Sequence, residues 1–177
     1  ENTIASIKEG LKQKADGVEV DIRLTSDNKI VCHHDKTAER TAGVDKKIVE
    51  MTLEEVKSLD CGSWFGKAWK GERVPELKEI LRALPRKKEI FIEVKTKEEI
   101  VPFLLENIDR EKVDVECMTV ISFFPEVIRK IKEIDPFIKC NLLIAFDYES
   151  INLQEIIDLV ISCLLYTSPS PRDNKAS

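Results

Sequence analysis

Glu19 and Asp21 stand two residues apart in the alternating run from Val18 to Thr25, so their side chains share one face of a strand. Val18, Val20 and Ile22 share the other. Two carboxylates aimed at one sheet face repel each other and lose hydration unless a cation neutralises them. Hard oxygen donors of this kind suit a divalent ion. Periodicity alone fits the solvent face of an antiparallel strand better. A second run, Glu89 to Lys95, puts Glu93 and Lys95 on one face with Ile92 and Val94 on the other. Glu93 is thus a candidate metal ligand and Lys95 a candidate phosphate-binding cation, although in isolation the two read equally well as a surface ion pair. His33 and His34 are the only histidines, and strand alternation sends one of them toward the acids. An imidazole titrating near neutrality is the natural proton donor or acceptor for ester cleavage, yet a lone histidine is more often structural.

Strands must position these groups, and the rest of the chain supplies them in a regular rhythm. Ile4, Ile7 and Leu11 predict a helix over Thr3 to Lys14, with Asn2 or Thr3 as its cap. The strand Val18 to Thr25 turns at 26–29 and returns over Ile30 to His33, making a hairpin. Thr52 and Glu55 have capping-box spacing ahead of a short helix. Residues 60–75, rich in Gly and Trp, read as a loop lying over something. Pro75 opens a helix over Glu76 to Leu84. After the strand Glu89 to Lys95 come a helix from about Lys97 to Asn107, a strand from Met118 to Phe123 and a helix from Glu126 to Glu133. A strand from Asn141 to Phe146 and a helix from Leu153 to Val160 follow. Strands alternating with helices at this spacing predict βαβ units around a parallel sheet.

A length of 177 residues suggests one domain, and 42% hydrophobic content is enough to build a core. The net charge of -5, with its basic residues interspersed among acids, gives no footing for nucleic acid. No run approaches the ~18 apolar residues of a membrane span. The five cysteines are odd in number and lack C-x-x-C spacing, which predicts reduced, packed thiols in a cytoplasmic protein. The chain opens on Glu1 rather than Met. Residues 163–173, CLLYTSPSPRD, read as the translation of a transposase-based sequencing adapter. The expectation is therefore a native domain over residues 1–162, cut at both ends, and a non-native, disordered tail over 163–177.

Taken in order, several strings resemble the glycerophosphodiester phosphodiesterase family. They are Glu1-Asn2-Thr3, Ala15 to Asp21, Leu24 to Asp27, Ile30 to Asp35, Glu39 to Thr41, Trp64-Phe65, Val74 to Leu77, Ile92 to Lys95 and Ser122-Phe123. The match runs from Glu1 to about Phe146. The resemblance implies an α/β fold, an incomplete TIM (β/α)8 barrel lacking its first and its C-terminal strands. It implies that Glu19, Asp21 and Glu93 hold Mg²⁺ or Ca²⁺, that His34 is catalytic and that Lys95 contacts phosphate. Glu1 falls near the metal shell. Asp35 is expected to orient His34, and Arg40 to anchor the loop or the phosphate. The implied reaction hydrolyses a small-molecule glycerophosphodiester to glycerol 3-phosphate and an alcohol, by way of a cyclic phosphate in the family. Two alternatives are a lipid phosphodiesterase acting on lysophospholipids, with an apolar lining near Trp64, Phe65 and Trp69, and a non-catalytic barrel that binds ligand. The family's first catalytic histidine, in a His-Arg-Gly motif, belongs upstream of Glu1, and its later barrel strands belong beyond Ser162. At Glu76 the family more often has Thr.

Overall fold

The structure is a computed structural model that describes residues 1–111, 113–145 and 152–164. Helix α1 (Ile4–Lys12) starts at Thr3, the second of the two candidate caps, whose hydroxyl accepts the Ser6 N–H while the Ser6 hydroxyl accepts the Thr3 N–H. Strand β1 (Gly17–Leu24) pairs antiparallel with β2 (Ile30–Cys32) through the expected hairpin. The next segment, silent in sequence pattern, folds into β3 (Thr37–Ala38), α2 (Glu39–Ala42) and β4 (Val44–Lys47), with β3 and β4 paired as a small ribbon. Helix α3 (Leu53–Ser58) carries the expected box, in which the Glu55 carboxylate accepts the Thr52 N–H at 2.7 Å. Helix α4 (Leu77–Ala83) begins after Glu76.

From here the chain repeats a strand and a helix: β5 (Glu89–Val94), α5 (Val101–Glu111), β6 (Met118–Ser122), α6 (Pro125–Ile134), β7 (Lys139–Leu142) and α7 (Leu153–Leu164). The main sheet has the order β2-β1-β5-β6-β7, and its last three pairings are parallel. Consecutive helices pack on each other, α1 on α4, α4 on α5, α5 on α6 and α6 on α7. Such a layer outside consecutive parallel strands is the connectivity of (β/α) barrel units. Several boundaries differ from expectation, among them those of α5, which runs from Val101 to Glu111 rather than from about Lys97 to Asn107. Strand β7 begins at Lys139 rather than Asn141, because pairing with β6 (Thr119 with Lys139) sets the register and the polar start of β7 hides it from an apolar-run reading. Helix α7 runs to Leu164, two residues into the expected tail, and Cys163 is buried. Phe146, the expected end of the seventh strand, and residues 165–177 lie outside the described residues.

The sheet separates its faces by chemistry. Val20, Ile92 and Val120, side by side across β1, β5 and β6, are fully buried against Ile7, Leu77, Leu104 and Val127 of the helices. Glu19, Asp21, Arg23 and Glu93 fall on the opposite face. A second core of Val31, Ala38, Ile48, Met51, Val56, Leu59, Cys61 and Val74 supports the excursion between β2 and α4. That excursion is therefore packed rather than draped. All five cysteines are free thiols. Ile92→Ala should lower the unfolding free energy by about 2–5 kcal/mol in urea titrations. Thr52→Ala, which removes a cap from an exposed helix, should cost about 1 kcal/mol by the same measurement.

Candidate active site

Parallel pairing places Asp21 of β1 directly beside Glu93 of β5, and Glu19 lies one pleat earlier on the same face. One oxygen from each of the three carboxylates lies within 4.8 Å of the others. Asp21 and Glu93 are buried, while Glu19 opens toward solvent. The Lys95 ammonium reaches Glu93 Oε1 at 2.6 Å and Asp21 Oδ1 at 3.1 Å. Burial works against that charge, but the two carboxylates outweigh it and raise the lysine pKa. One ammonium does not offset three carboxylates. Partial desolvation, then Asp21 and Glu93, push the Glu19 pKa up from its ordinary 4.5 to about 7. An all-oxygen, over-charged cluster of this kind fits a divalent cation.

The histidines are separated as alternation requires. His33 is buried, its Nδ1 2.9 Å from the Asp35 carbonyl and its Nε2 3.1 Å from the Thr41 hydroxyl. Burial lowers its pKa, and both ring nitrogens are engaged. His34 points the other way, with Nδ1 2.7 Å from Asp35 Oδ1. Its Nε2 has no protein partner among the described residues. Arg40 donates to Asp35 Oδ2 at 2.6 Å and also bonds the Glu1 carboxylate. The Arg40 hydrogen bond, opposed by burial and helped by His34, holds the Asp35 pKa down at about 2. Glu1 is likewise lowered by Arg40. Arg40 thus bridges Asp35 and Glu1.

A cavity of about 400 Å³ is lined by Glu1, Asn2, Ser6, Glu19, Asp21, His34, Asp35 and Arg40. Glu93 and Lys95 are not part of that lining and connect to it through Asp21. Two further residues matter that strand and charge patterns do not single out. Asn2 clamps Asp21 at two points, donating from Nδ2 to Asp21 Oδ2 at 2.7 Å and accepting the Asp21 N–H at 2.9 Å. In the sequence Asn2 stands out only as a candidate helix cap and as the middle of Glu1-Asn2-Thr3. Arg23 donates from Nε and Nη2 to the His34 carbonyl at 3.1 and 2.6 Å, and from Nη1 to the Lys95 carbonyl at 3.2 Å. No local pattern marks a cation on an acidic face as a brace between two loops.

Fold and site together define an α/β-barrel protein whose acidic cluster lies toward the C-terminal ends of its parallel strands, where barrel enzymes carry their active sites. The sequence model of the glycerophosphoryl diester phosphodiesterase family matches residues 1–150, and the chain belongs to that family. A glycerophosphodiester phosphodiesterase of Caldanaerobacter subterraneus is 35% identical over 140 residues, 77% of this chain and 58% of that protein. Mouse glycerophosphodiester phosphodiesterase 1 is 34% identical over 76% of this chain and 42% of its own length. The glycerophosphodiester phosphodiesterase structure from Agrobacterium tumefaciens superposes with a TM-score of 0.73 at 28% identity, over 79% of this chain and 59% of that one. An Oleispira antarctica phosphodiesterase, solved with the product sn-glycerol-3-phosphate, shares the fold with a TM-score of 0.78 at 24% identity, over 92% of this chain and 75% of that one. The chain spans 39% and 58% of the first two curated relatives it matches.

Because Glu19 keeps its proton to about pH 7 when folded but loses it near 4.5 when unfolded, the folded state binds more protons across that window. Stability should therefore fall as pH rises from about 4.5 to 7. Urea midpoints recorded over this range should decline less in Glu19→Gln. Superimposable pH profiles for the two proteins would contradict the assignment.

Proposed function

We propose that this chain carries the larger part of the catalytic site of a glycerophosphodiester phosphodiesterase, which cleaves a small-molecule glycerophosphodiester to glycerol 3-phosphate and an alcohol. The convergence of Glu19, Asp21 and Glu93 within 4.8 Å carries the reading, supported by family membership. The product bound by the Oleispira antarctica protein supports the glycerol 3-phosphate half.

Glu19, Asp21 and Glu93 would hold a divalent cation, Mg²⁺ or Ca²⁺, which when bound supplies charge neutralisation for the phosphate oxygens. Lys95, now paired with Asp21 and Glu93, contributes a further positive charge for a phosphate oxygen. Asn2 fixes the Asp21 carboxylate so that it does not rotate away from its neighbours. His34 moves the proton at Nε2, the nitrogen left open to the cavity, while Asp35 holds Nδ1 and so selects the tautomer. Arg40 keeps Asp35 ionised for that purpose. A second proton-transfer group would act on the opposite side of the phosphate. His33, with both nitrogens occupied, keeps a packing role.

Free thiols at all five cysteines support a reducing, cytoplasmic setting. Among the described residues no helix is long and apolar enough to cross a membrane. We also retain residues 163–177 as a non-native tail, on their adapter-like sequence.

The reading is tested on a protein carrying the whole barrel, by coupled detection of glycerol 3-phosphate. His34→Ala should lower kcat by about 10²–10⁴. Asp21→Asn and Glu93→Gln should each abolish saturation by Mg²⁺ or Ca²⁺. Wild-type turnover in Asp21→Asn would sink the proposal.

A further inference from the structure

Arg23 is buried on the acidic face of β1, two residues beyond Asp21. Burial works against its charge, while the nearby Asp21, Asp35 and Glu93 favour it. Those acids nevertheless pair elsewhere, Asp21 and Glu93 with Lys95 and Asp35 with Arg40. The Arg23 guanidinium gives its hydrogen bonds to main chain instead. Nε and Nη2 donate to the His34 carbonyl at 3.1 and 2.6 Å, and Nη1 donates to the Lys95 carbonyl at 3.2 Å. The two carbonyls lie 11 and 72 positions away in sequence. They belong to the residue that moves a proton and the residue that contacts phosphate in the reading above. We propose that Arg23 is a positioning residue, which sets the separation between the His34 imidazole and the Lys95 ammonium by fixing both main-chain segments to one guanidinium. The roles of His34 and Lys95 are those of the phosphodiesterase reading, on which this inference rests.

The need for such a tie follows from where the ladders stop. The pairing of β1 with β2 ends at Cys32 and that of β1 with β5 ends at Val94, both opposite Ile22. One further main-chain bond follows on each side. The His33 N–H donates to the Asp21 carbonyl at 2.9 Å, and the Lys95 N–H donates to the Ile22 carbonyl at 3.1 Å. Beyond these, Arg23 is the one donor that the carbonyls of His34 and Lys95 have among the described residues. Carbonyls inside a protein need a donor, and β1 lies between β2 and β5 in the sheet, so one side chain on it reaches both. A planar guanidinium presents its N–H groups in a rigid fork, whereas a lysine ammonium is a point donor on a flexible stem. If Arg23 served only to offset the acids, either cation would do. If it sets geometry, only the fork will. Geometry matters here because two groups from different strands must meet one phosphate, and a misplacement near 1 Å can slow a reaction about 10²-fold.

The test is a double-mutant cycle on the protein carrying the whole barrel, followed by glycerol 3-phosphate release at saturating divalent metal. Wild type, Arg23→Lys, His34→Ala and the double variant are compared, with Mn²⁺ affinity and the urea midpoint recorded for each. Arg23→Lys should lower kcat about 10- to 10²-fold, with KM and the Mn²⁺ Kd each within about threefold of wild type. In the His34→Ala background the same substitution should cost at least about threefold less, because the group it positions is already gone. Wild-type kcat in Arg23→Lys would show that charge alone suffices and overturn the proposal. Fully multiplicative effects of the two substitutions would overturn it as well, as would a loss of Mn²⁺ affinity large enough to account for the fall in rate. Where the urea midpoint shows that Arg23→Lys folds poorly, Arg23→Gln, which keeps a planar amide donor, takes its place in the cycle with the same expected signs. An inactive wild-type barrel would remove the phosphodiesterase reading and both roles with it. An active wild type, a crippled His34→Ala and an unimpaired Arg23→Lys would remove the role of Arg23 alone.

Discussion

Everything in the candidate site depends on the repulsion among three carboxylates that the sheet forces together. Asp21 and Glu93 are register partners on adjacent parallel strands, so neither can retreat without breaking the ladder. Glu19 shares their face, and burial together with that crowding raises its pKa to about 7. Such a cluster is costly to fold unless positive charge is supplied. Lys95 supplies one charge from within the chain, and the oxygen-only donor set leaves room for a divalent ion to supply the rest. The buried opposite face, with Val20, Ile92 and Val120 locked against the helices, is what holds the acids against their own repulsion.

Around that cluster the chain arranges a relay of restraints. Asn2 holds Asp21, Asp35 holds His34, Arg40 holds Asp35 and Glu1 together, and Arg23 ties the loop after β2 to the loop after β5. Each link is a charged or amide group satisfied at two points, which limits rotation more than a single bond does. The excursion between β2 and α4 bears His34, Asp35 and Arg40, and its separate core gives them a fixed base. Loops in barrels are where chemistry is varied, provided that the scaffold beneath is rigid. Here the excursion brings its own scaffold.

Much of this was legible from local pattern. Alternation in Val18 to Thr25 and in Glu89 to Lys95 put the acids on one face, and the spacing of Thr52 and Glu55 announced a capped helix. The doublet His33-His34 had to split between faces, and it did. The segment from Thr37 to Lys47 was opaque because a two-residue strand has too few residues to show a period. The start of β7 was opaque because its first residue, Lys139, is polar, and only pairing with β6 makes it a strand.

By itself, then, the sequence determined which residues could act and which way each would face, because strand and helix periods are local properties. The ordered motifs added the family, and with it a barrel. Only the tertiary structure decided that Glu93, more than seventy positions from Asp21, becomes its neighbour, since parallel pairing is set by the packing of whole βα units. It alone bonded Arg40 to Asp35 and Glu1, left His34 Nε2 without a protein partner among the described residues while filling both nitrogens of His33, and brought Trp64 and Trp69 to a groove that opens beside the acids. Those outcomes rest on distances between segments remote in sequence, and no local period carries them.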